Sequence, residues 1–168
     1  MAGKSVYKTR LYDIEEIYPK FNNKKIKFYR IKSKESSVII PFVDGKFVLE
    51  KQYRPVVGKH IIEFPAGGIE KSETPIQNAK KELLEETGYV AKNIKHIFTA
   101  YSSPGMLTEK CHFFYAYNLK KEKQHLEPDE NIKVMLVSPK KALQMVRDNE
   151  IEDLKTIVGI MLFAKLKL

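Results

Sequence analysis

Six glutamates fall within residues 63–89, EFPAGGIEKSETPIQNAKKELLEETGY: Glu63, Glu70, Glu73, Glu82, Glu85 and Glu86. The chain around them is basic, with 30 Lys and Arg against 21 Asp and Glu and a formal net charge of +9. Clustered carboxylates in a cationic chain are suited to holding a hard divalent cation such as Mg²⁺ or Mn²⁺, or to moving protons. Spacing narrows the choice. On a helix at roughly 100° per residue, Ile76, Ala79, Leu83 and Leu84 define an apolar side. Glu82 and Glu86 are then i,i+4 neighbours on one edge of it, and Glu85 lies nearly opposite. The positions four residues from Glu82 hold Asn78 and Glu86, with no lysine, so like charges repel there by a few tenths of a kcal/mol. Glu85 and Glu86 also sit in the last turn, where the helix dipole disfavours negative charge. A divalent cation would convert this repulsion into a ligand set. The plain alternative is a solvent-facing acidic helix end, and geometry alone leaves both readings open.

The elements that must position these groups are legible. Thr74, Pro75 and Gln77 form an N-cap, N1 and capping-box signal, and Gly88 suits the residue after a helix end, which brackets a helix over 75–87. Residues 36–43 and 46–53 are β-rich runs joined by Asp44-Gly45, a two-residue hairpin signal. Short strands are predicted over 60–64, 94–101, 111–119 and 132–137, with a charged loop over 120–130. Ser138-Pro139 opens a helix over 139–148, and a second follows over 152–166. Ahead of these, 5–17 and 25–32 alternate as half-buried strands do. The order of strands, helix, strands and helices predicts an α+β or α/β fold: a mixed β-sheet sandwiched between α-helices, with an N-terminal β arm. We read one domain over 1–168, the arm being 1–35 and the core 36–168.

Composition bounds the function classes. The 168 residues, 43% of them apolar, suit one domain with a real core and argue against disorder. A lone cysteine, Cys111, excludes a disulfide framework and a cysteine-based zinc site. His60, His96, His112 and His125 have no metal-ligand spacing, and Cys111 beside His112 on a strand would face the opposite side. No apolar run reaches membrane-spanning length and no h-region follows the N-terminus, so a cytoplasmic protein is expected. Only Lys24-Lys25-Ile26-Lys27-Phe28-Tyr29-Arg30 interleaves basic and aromatic residues, so nucleic acid is not the expected partner. Against this lysine background the four arginines, Arg10, Arg30, Arg54 and Arg147, invite questions about bidentate geometry.

The acidic window resembles the Nudix box, G-x5-E-x7-R-E-U-x-E-E-x-G-U with U a bulky aliphatic. Gly67 is followed by Glu73 and then by Lys81-Glu82-Leu83-Leu84-Glu85-Glu86-Thr87-Gly88-Tyr89, all in register. Two positions depart from it. Lys81 replaces the box arginine, keeping the charge but losing the fork, and Tyr89 replaces the final aliphatic. The resemblance implies hydrolysis of a nucleoside diphosphate linked to another moiety, with two or three Mg²⁺ (or Mn²⁺) per site. It implies Glu82 and Glu86 as main ligands, Glu85 assisting in ligation and catalysis, and the Ala66 carbonyl as a further ligand. Gly67, Glu73, Lys81 and Gly88 would shape the box, Glu73 tying its loop to Lys81.

Outside the box, Gln52-Tyr53-Arg54-Pro55 and Ile62-Glu63-Phe64-Pro65-Ala66-Gly67 resemble the ADP-ribose pyrophosphatase subgroup. So does Ser103-Pro104-Gly105, with Pro104 placed 16 residues past Gly88 and Glu109 completing the pattern. The support runs over residues 36–138. It implies cleavage of ADP-ribose to AMP and ribose 5-phosphate by metal-activated water. Arg54 and Glu63, Pro104 and Glu109 would contact substrate, and an N-terminal arm exchanged across a homodimer would stack the base through Phe28 or Tyr29. A loop glutamate would serve as the base: Glu130 aligns best, with Glu127 and Asp129 as rivals. The competing expectations are another nucleoside diphosphate derivative, such as an ADP-sugar or dinucleotide, and a non-catalytic nucleotide- or RNA-binding domain of the same fold.

Overall fold

A computed structural model of the protein describes residues 3–9, 12–128 and 130–166; Arg10 and Asp129 lie outside the described residues. The arm supplies β1 (Lys4–Lys8), β2 (Asp13–Ile17), the short hairpin β3 (Lys20–Phe21) and β4 (Lys24–Lys25), and β5 (Phe28–Lys32). Asn22 and Asn23 turn the hairpin at φ of 47° and 64°, a region their short polar side chains tolerate. β1, β2 and β5 form a separate antiparallel sheet in that order.

The core runs β6 (Ser36–Val43), β7 (Lys46–Arg54), β8 (Lys59–Glu63), β9 (Ala66–Gly68), α1 (Pro75–Thr87), β10 (Tyr89–Tyr101), β11 (Lys110–Lys121), β12 (Ile132–Val137), α2 (Pro139–Arg147) and α3 (Leu154–Leu166). Seven of these strands make one mixed sheet, ordered β10-β11-β6-β7-β12, with β8 on β7 and β9 on β6. β11 and β6 pair in parallel, and the other pairs are antiparallel. The β6–β7 hairpin turns at Asp44 and Gly45, both at positive φ.

The sheet is covered on both faces. Ala79 and Leu83 of α1 pack on Ile39, Phe114 and Ala116. Ala142 and Met145 of α2 and Ile160 of α3 join Val38, Ile40, Phe47, Leu49 and Phe64 in the larger cluster. Alternation along β6 sends Val38 and Ile40 to one side and Ile39 to the other, as the strand period requires. The predicted sandwich of a mixed sheet between helices is the architecture observed.

Several local expectations need correction. Ile76 does not belong to the buried stripe of α1, since it is 41% exposed; Asn78 takes that place at 0%. The edge carrying Asn78 faces the sheet because Glu86 and Thr87 on the same side are buried as well. β10 begins at Tyr89, directly after the Gly88 cap, because its early residues pair along β11 as far as Lys121. That pairing also shortens the loop expected over 120–130. β9 had no strand signature in Ala-Gly-Gly, yet it pairs with Ser36–Val38 of β6.

Candidate active site

α1 is set by its ends. Thr74 Oγ1 accepts from the Gln77 amide and the Gln77 side chain accepts from the Thr74 amide, closing the capping box. At the other end Gly88 adopts φ 65° and its amide donates to the Leu84 carbonyl. A Cβ at Gly88 would lie 2.9 Å from the backbone of the following loop, so glycine is needed for space as well as conformation.

This fixed helix presents Glu82 and Glu86 to a cleft of about 760 Å³, whose walls also include Gln52, Arg54, Ala66, Gly67, Glu109, Glu127 and Glu130. A smaller, mostly apolar pocket of about 180 Å³ between β10, β11 and the start of α3 holds none of the box glutamates. Glu82 accepts from Asn78 Nδ2 at 3.0 Å, and the same amide group donates to Glu73 and to the Gly68 carbonyl. Glu86 accepts from the Ala66 amide at 2.9 Å, so the helix pins β9 by a carboxylate. Among the described residues no basic side chain forms an ion pair with Glu82 or Glu86. Burial raises the Glu82 carboxyl to about 7. Burial and the neighbouring Glu50 charge raise Glu86 well above the usual carboxylate range.

Lys81 Nζ lies 3.8 Å from Glu73 and 3.8 Å from Glu85, a loose contact with each. Partial burial works against the Lys81 charge, but Glu85, Glu82, Glu73 and Glu127 outweigh it and raise its pKa. Glu85 thus contacts Lys81 and does not line the cleft that Glu82 and Glu86 line.

On the sheet side, Arg54 grips Glu63 with two parallel bonds, Nε to Oε1 and the terminal nitrogen to Oε2, both 2.8 Å. This fork fixes the Arg54 guanidinium at the cleft wall. Two further groups were not singled out from the sequence as chemical. Glu50 of β7 is fully buried directly across from Glu63. Burial and the Glu63 charge push its carboxyl up to about 8. Lys155 of α3 reaches the same cleft and pairs with Asp153 at 2.6 Å. A signal for Glu50 existed: Val48, Glu50, Gln52 and Arg54 alternate along one face of β7, so the acid follows the same side as the quoted QYR run.

The remaining candidates are spread around the rim. Glu109 accepts from Ser36 Oγ at 2.8 Å. Glu130 closes a turn with Glu127, its carboxylate accepting from the Glu127 amide at 2.9 Å. Pro104 lies in a turn where the Leu107 amide bonds to the Ser103 carbonyl at 2.8 Å. The arm docks on this turn: the Ile31 amide donates to Met106 and the Thr108 amide to Ile31. Tyr12 of the arm joins the cleft wall, but Phe28, Tyr29 and Pro104 are not among its described lining residues. Phe28 packs on Phe21 at 5.8 Å between ring centres, and the Tyr29 hydroxyl donates to Glu16.

A divalent cation suits this donor set. Every group is oxygen, and half-buried Glu82 and buried Glu86 line one cleft with no ion-paired basic side chain among the described residues. Among the described residues, no three His, Cys, Asp or Glu side chains already converge at ligating distance, because Glu86 is turned to Ala66 and Glu85 to Lys81.

Glu82 and Glu86 on a capped helix share a cleft with an arginine fork, in a mixed sheet between helices. The chain belongs to the Nudix family: residues 33–157 match the NUDIX domain. It is 42% identical over 119 residues to the ADP-ribose pyrophosphatase of Bacillus subtilis (strain 168), a match covering 70% of this chain and 64% of that protein. It is 34% identical over 119 residues to the methanol dehydrogenase activator of Bacillus methanolicus, with the same coverages of 70% and 64%. The chain thus spans less than two thirds of the length of these two relatives. Similarity to the GDP-mannose pyrophosphatase of Shigella flexneri is 32% over 146 residues, covering 85% of this chain and 73% of that protein. In fold it matches a solved ADP compounds hydrolase at a TM-score of 0.87 with 20% identity, over 99% of this chain and 91% of that one. Among the described residues no helix is long and apolar enough to cross a membrane.

Proposed function

We propose that this chain hydrolyses the diphosphate linkage of ADP-ribose, adding water across the bridging P–O bond to give AMP and ribose 5-phosphate. The observation that carries the reading is half-buried Glu82 beside buried Glu86, ion-paired to no basic side chain among the described residues, in the wall of a cleft that also holds Arg54. The Bacillus subtilis relative supplies the choice of substrate.

Glu82 and Glu86, with Glu85 and the Ala66 carbonyl, would hold Mg²⁺ or Mn²⁺. When bound, such a cation neutralises phosphate oxygens and lowers the pKa of coordinated water. Arg54, held rigid by Glu63, meets the substrate's negative charge with a pre-oriented guanidinium. Glu130 orients the attacking water and takes its proton, and Glu127 holds the turn that positions it. Glu109 and the 103–107 turn bound the end of the cleft nearest the arm and contact the terminal ribose.

The protein works as a homodimer in this reading. The arm leaves Tyr7, Phe21, Phe28 and Tyr29 exposed, and Phe28 and Tyr29 stay off the cleft of their own chain. Exchange of the arm would bring one of these rings to the base of the nucleotide in the other copy. Light scattering of the purified protein should return twice the chain mass, and a monomer that cleaves ADP-ribose at the full rate would refute the exchange.

The decisive assay is ADP-ribose with Mg²⁺, products resolved by chromatography, and Glu86→Gln as the blank. AMP and ribose 5-phosphate in equal amounts, absent with the variant, support the reading. Nucleotide binding without turnover in the wild type would favour the non-catalytic alternative.

A further inference from the structure

We propose that Glu50 is a further carboxylate of the divalent-cation site, supplied by strand β7 from outside the glutamate-rich helix. The inference rests on the cation reading given above.

Glu50 is 0% exposed, and neither of its carboxylate oxygens has a hydrogen-bond partner. An unpartnered buried polar group costs about 1–3 kcal/mol, more when charged, so the position needs a compensating group. Arg54, whose charge reaches Glu50, spends its fork on Glu63.

The surroundings share the same deficit. Gln52 Oε1, two residues along the same strand face, and Asn78 Oδ1 on α1 are also buried acceptors without a donor. Gln52 belongs to the cleft wall beside Glu82 and Glu86. Burial and the Glu50 charge act together to raise the Glu86 carboxyl. Buried oxygens that all accept and find nothing that donates are complementary to a cation.

A strand residue in this role has a mechanical consequence. β7 is paired with β12 over Phe47–Gln52 and with β8 over Glu50–Arg54, so the Glu50 backbone is held by the sheet. Glu50 would give the site one ligand set by the sheet, and it explains why Glu63 opposite is neutralised by a two-bond arginine fork: a second bare carboxylate there would compete.

The test is Mn²⁺ titration of the full chain without substrate, followed by electron paramagnetic resonance of the free ion. Glu50→Gln should weaken at least one Mn²⁺ by about tenfold or more, while thermal unfolding of the metal-free variant stays cooperative. Glu86→Gln serves as the reference. If Glu86→Gln loses affinity and Glu50→Gln binds as the wild type does, the Glu50 proposal fails alone. If neither variant changes Mn²⁺ binding, the cation reading of the cleft fails with it. Should Glu50→Gln not fold, Glu50→Asp in the same titration decides, since it keeps the charge but withdraws it by one methylene: unchanged Mn²⁺ affinity there overturns the proposal.

Discussion

Glu82 rests against the α-carbon of Gly67, so that a Cβ at position 67 would lie 2.2 Å from the Glu82 carboxyl carbon and 2.3 Å from Oε1. Rotation of the methyl cannot relieve this, because it leaves the Cβ itself in place. Gly67→Ala therefore moves the Glu82 carboxylate or the β9 strand. We expect a fall in kcat/KM of about 10–100-fold with weaker Mg²⁺ activation, and little change in the melting temperature. Steady-state kinetics over a Mg²⁺ series measures it, and wild-type Mg²⁺ activation in the variant would show that Glu82 does no work at that position.

The buried carboxylates set a pH dependence whose sign follows from proton counting. Glu82 is raised to about 7 and Glu50 to about 8 by burial, and Glu86 is raised as well. Unfolded, all three would lose their protons near 4.3. Between these limits the folded state binds more protons, so metal-free stability is greatest at low pH and declines as pH rises through the folded values. Glu15 and Glu70 are shifted downward by Arg30 and Lys34 respectively, so their contribution changes below this window and does not mask it. Melting of chelator-treated protein should fall from pH 5 to pH 8.5, and the rise on adding Mg²⁺ should be larger at pH 8 than at pH 6. A Mg²⁺ effect that is larger at pH 6 would contradict the assignment.

The Arg54–Glu63 fork predicts that charge is not enough at position 54. Lysine cannot make two parallel bonds to one carboxylate, so Arg54→Lys frees Glu63 as a second carboxylate beside Glu50. Substrate KM should rise by about tenfold or more with a smaller change in kcat, because the group meets substrate charge in ground and transition state alike. Equal KM in the variant would assign the fork a purely structural role.

Lys81 stands between Glu73 and Glu85 at 3.8 Å from each, closer to neither than a weak ion pair. An arginine there could fork onto one of them. Lys81→Arg should add about 0.5 kcal/mol of stability, roughly 1–2 °C in melting temperature for a chain of this size. Lowered stability in a differential scan would mean that the pocket around the ammonium has no room for the guanidinium.

Legibility followed the range of the interactions. α1 was readable to the residue because Thr74, Gln77 and Gly88 settle its ends within one turn each, and the β6–β7 hairpin because Asp44-Gly45 sets its own φ angles. β9 was not, since Ala66–Gly68 is a strand only through pairing with β6 and through the bond from the Ala66 amide to Glu86. The box glutamates were readable as a group and in their split, because i,i+4 spacing puts Glu82 and Glu86 on one edge and Glu85 opposite; what needed the structure was the Lys81 contact that holds Glu85. Glu50 escaped notice because its neighbours in sequence, Leu49 and Lys51, say nothing about Glu63 and Glu86, which the sheet and helix bring to it. Phe28 and Tyr29 lie off the cleft of their own chain, so the base-stacking role proposed for them would need a second copy.

The most direct test is a substrate panel at saturating Mg²⁺: ADP-ribose, ADP-glucose, GDP-mannose, a diadenosine polyphosphate and a nucleoside triphosphate, each with the wild type and with Glu86→Gln. We expect the highest kcat/KM for ADP-ribose, with loss of turnover by about a hundredfold or more in the variant. Preferred cleavage of GDP-mannose, or turnover that survives Glu86→Gln, would contradict the account.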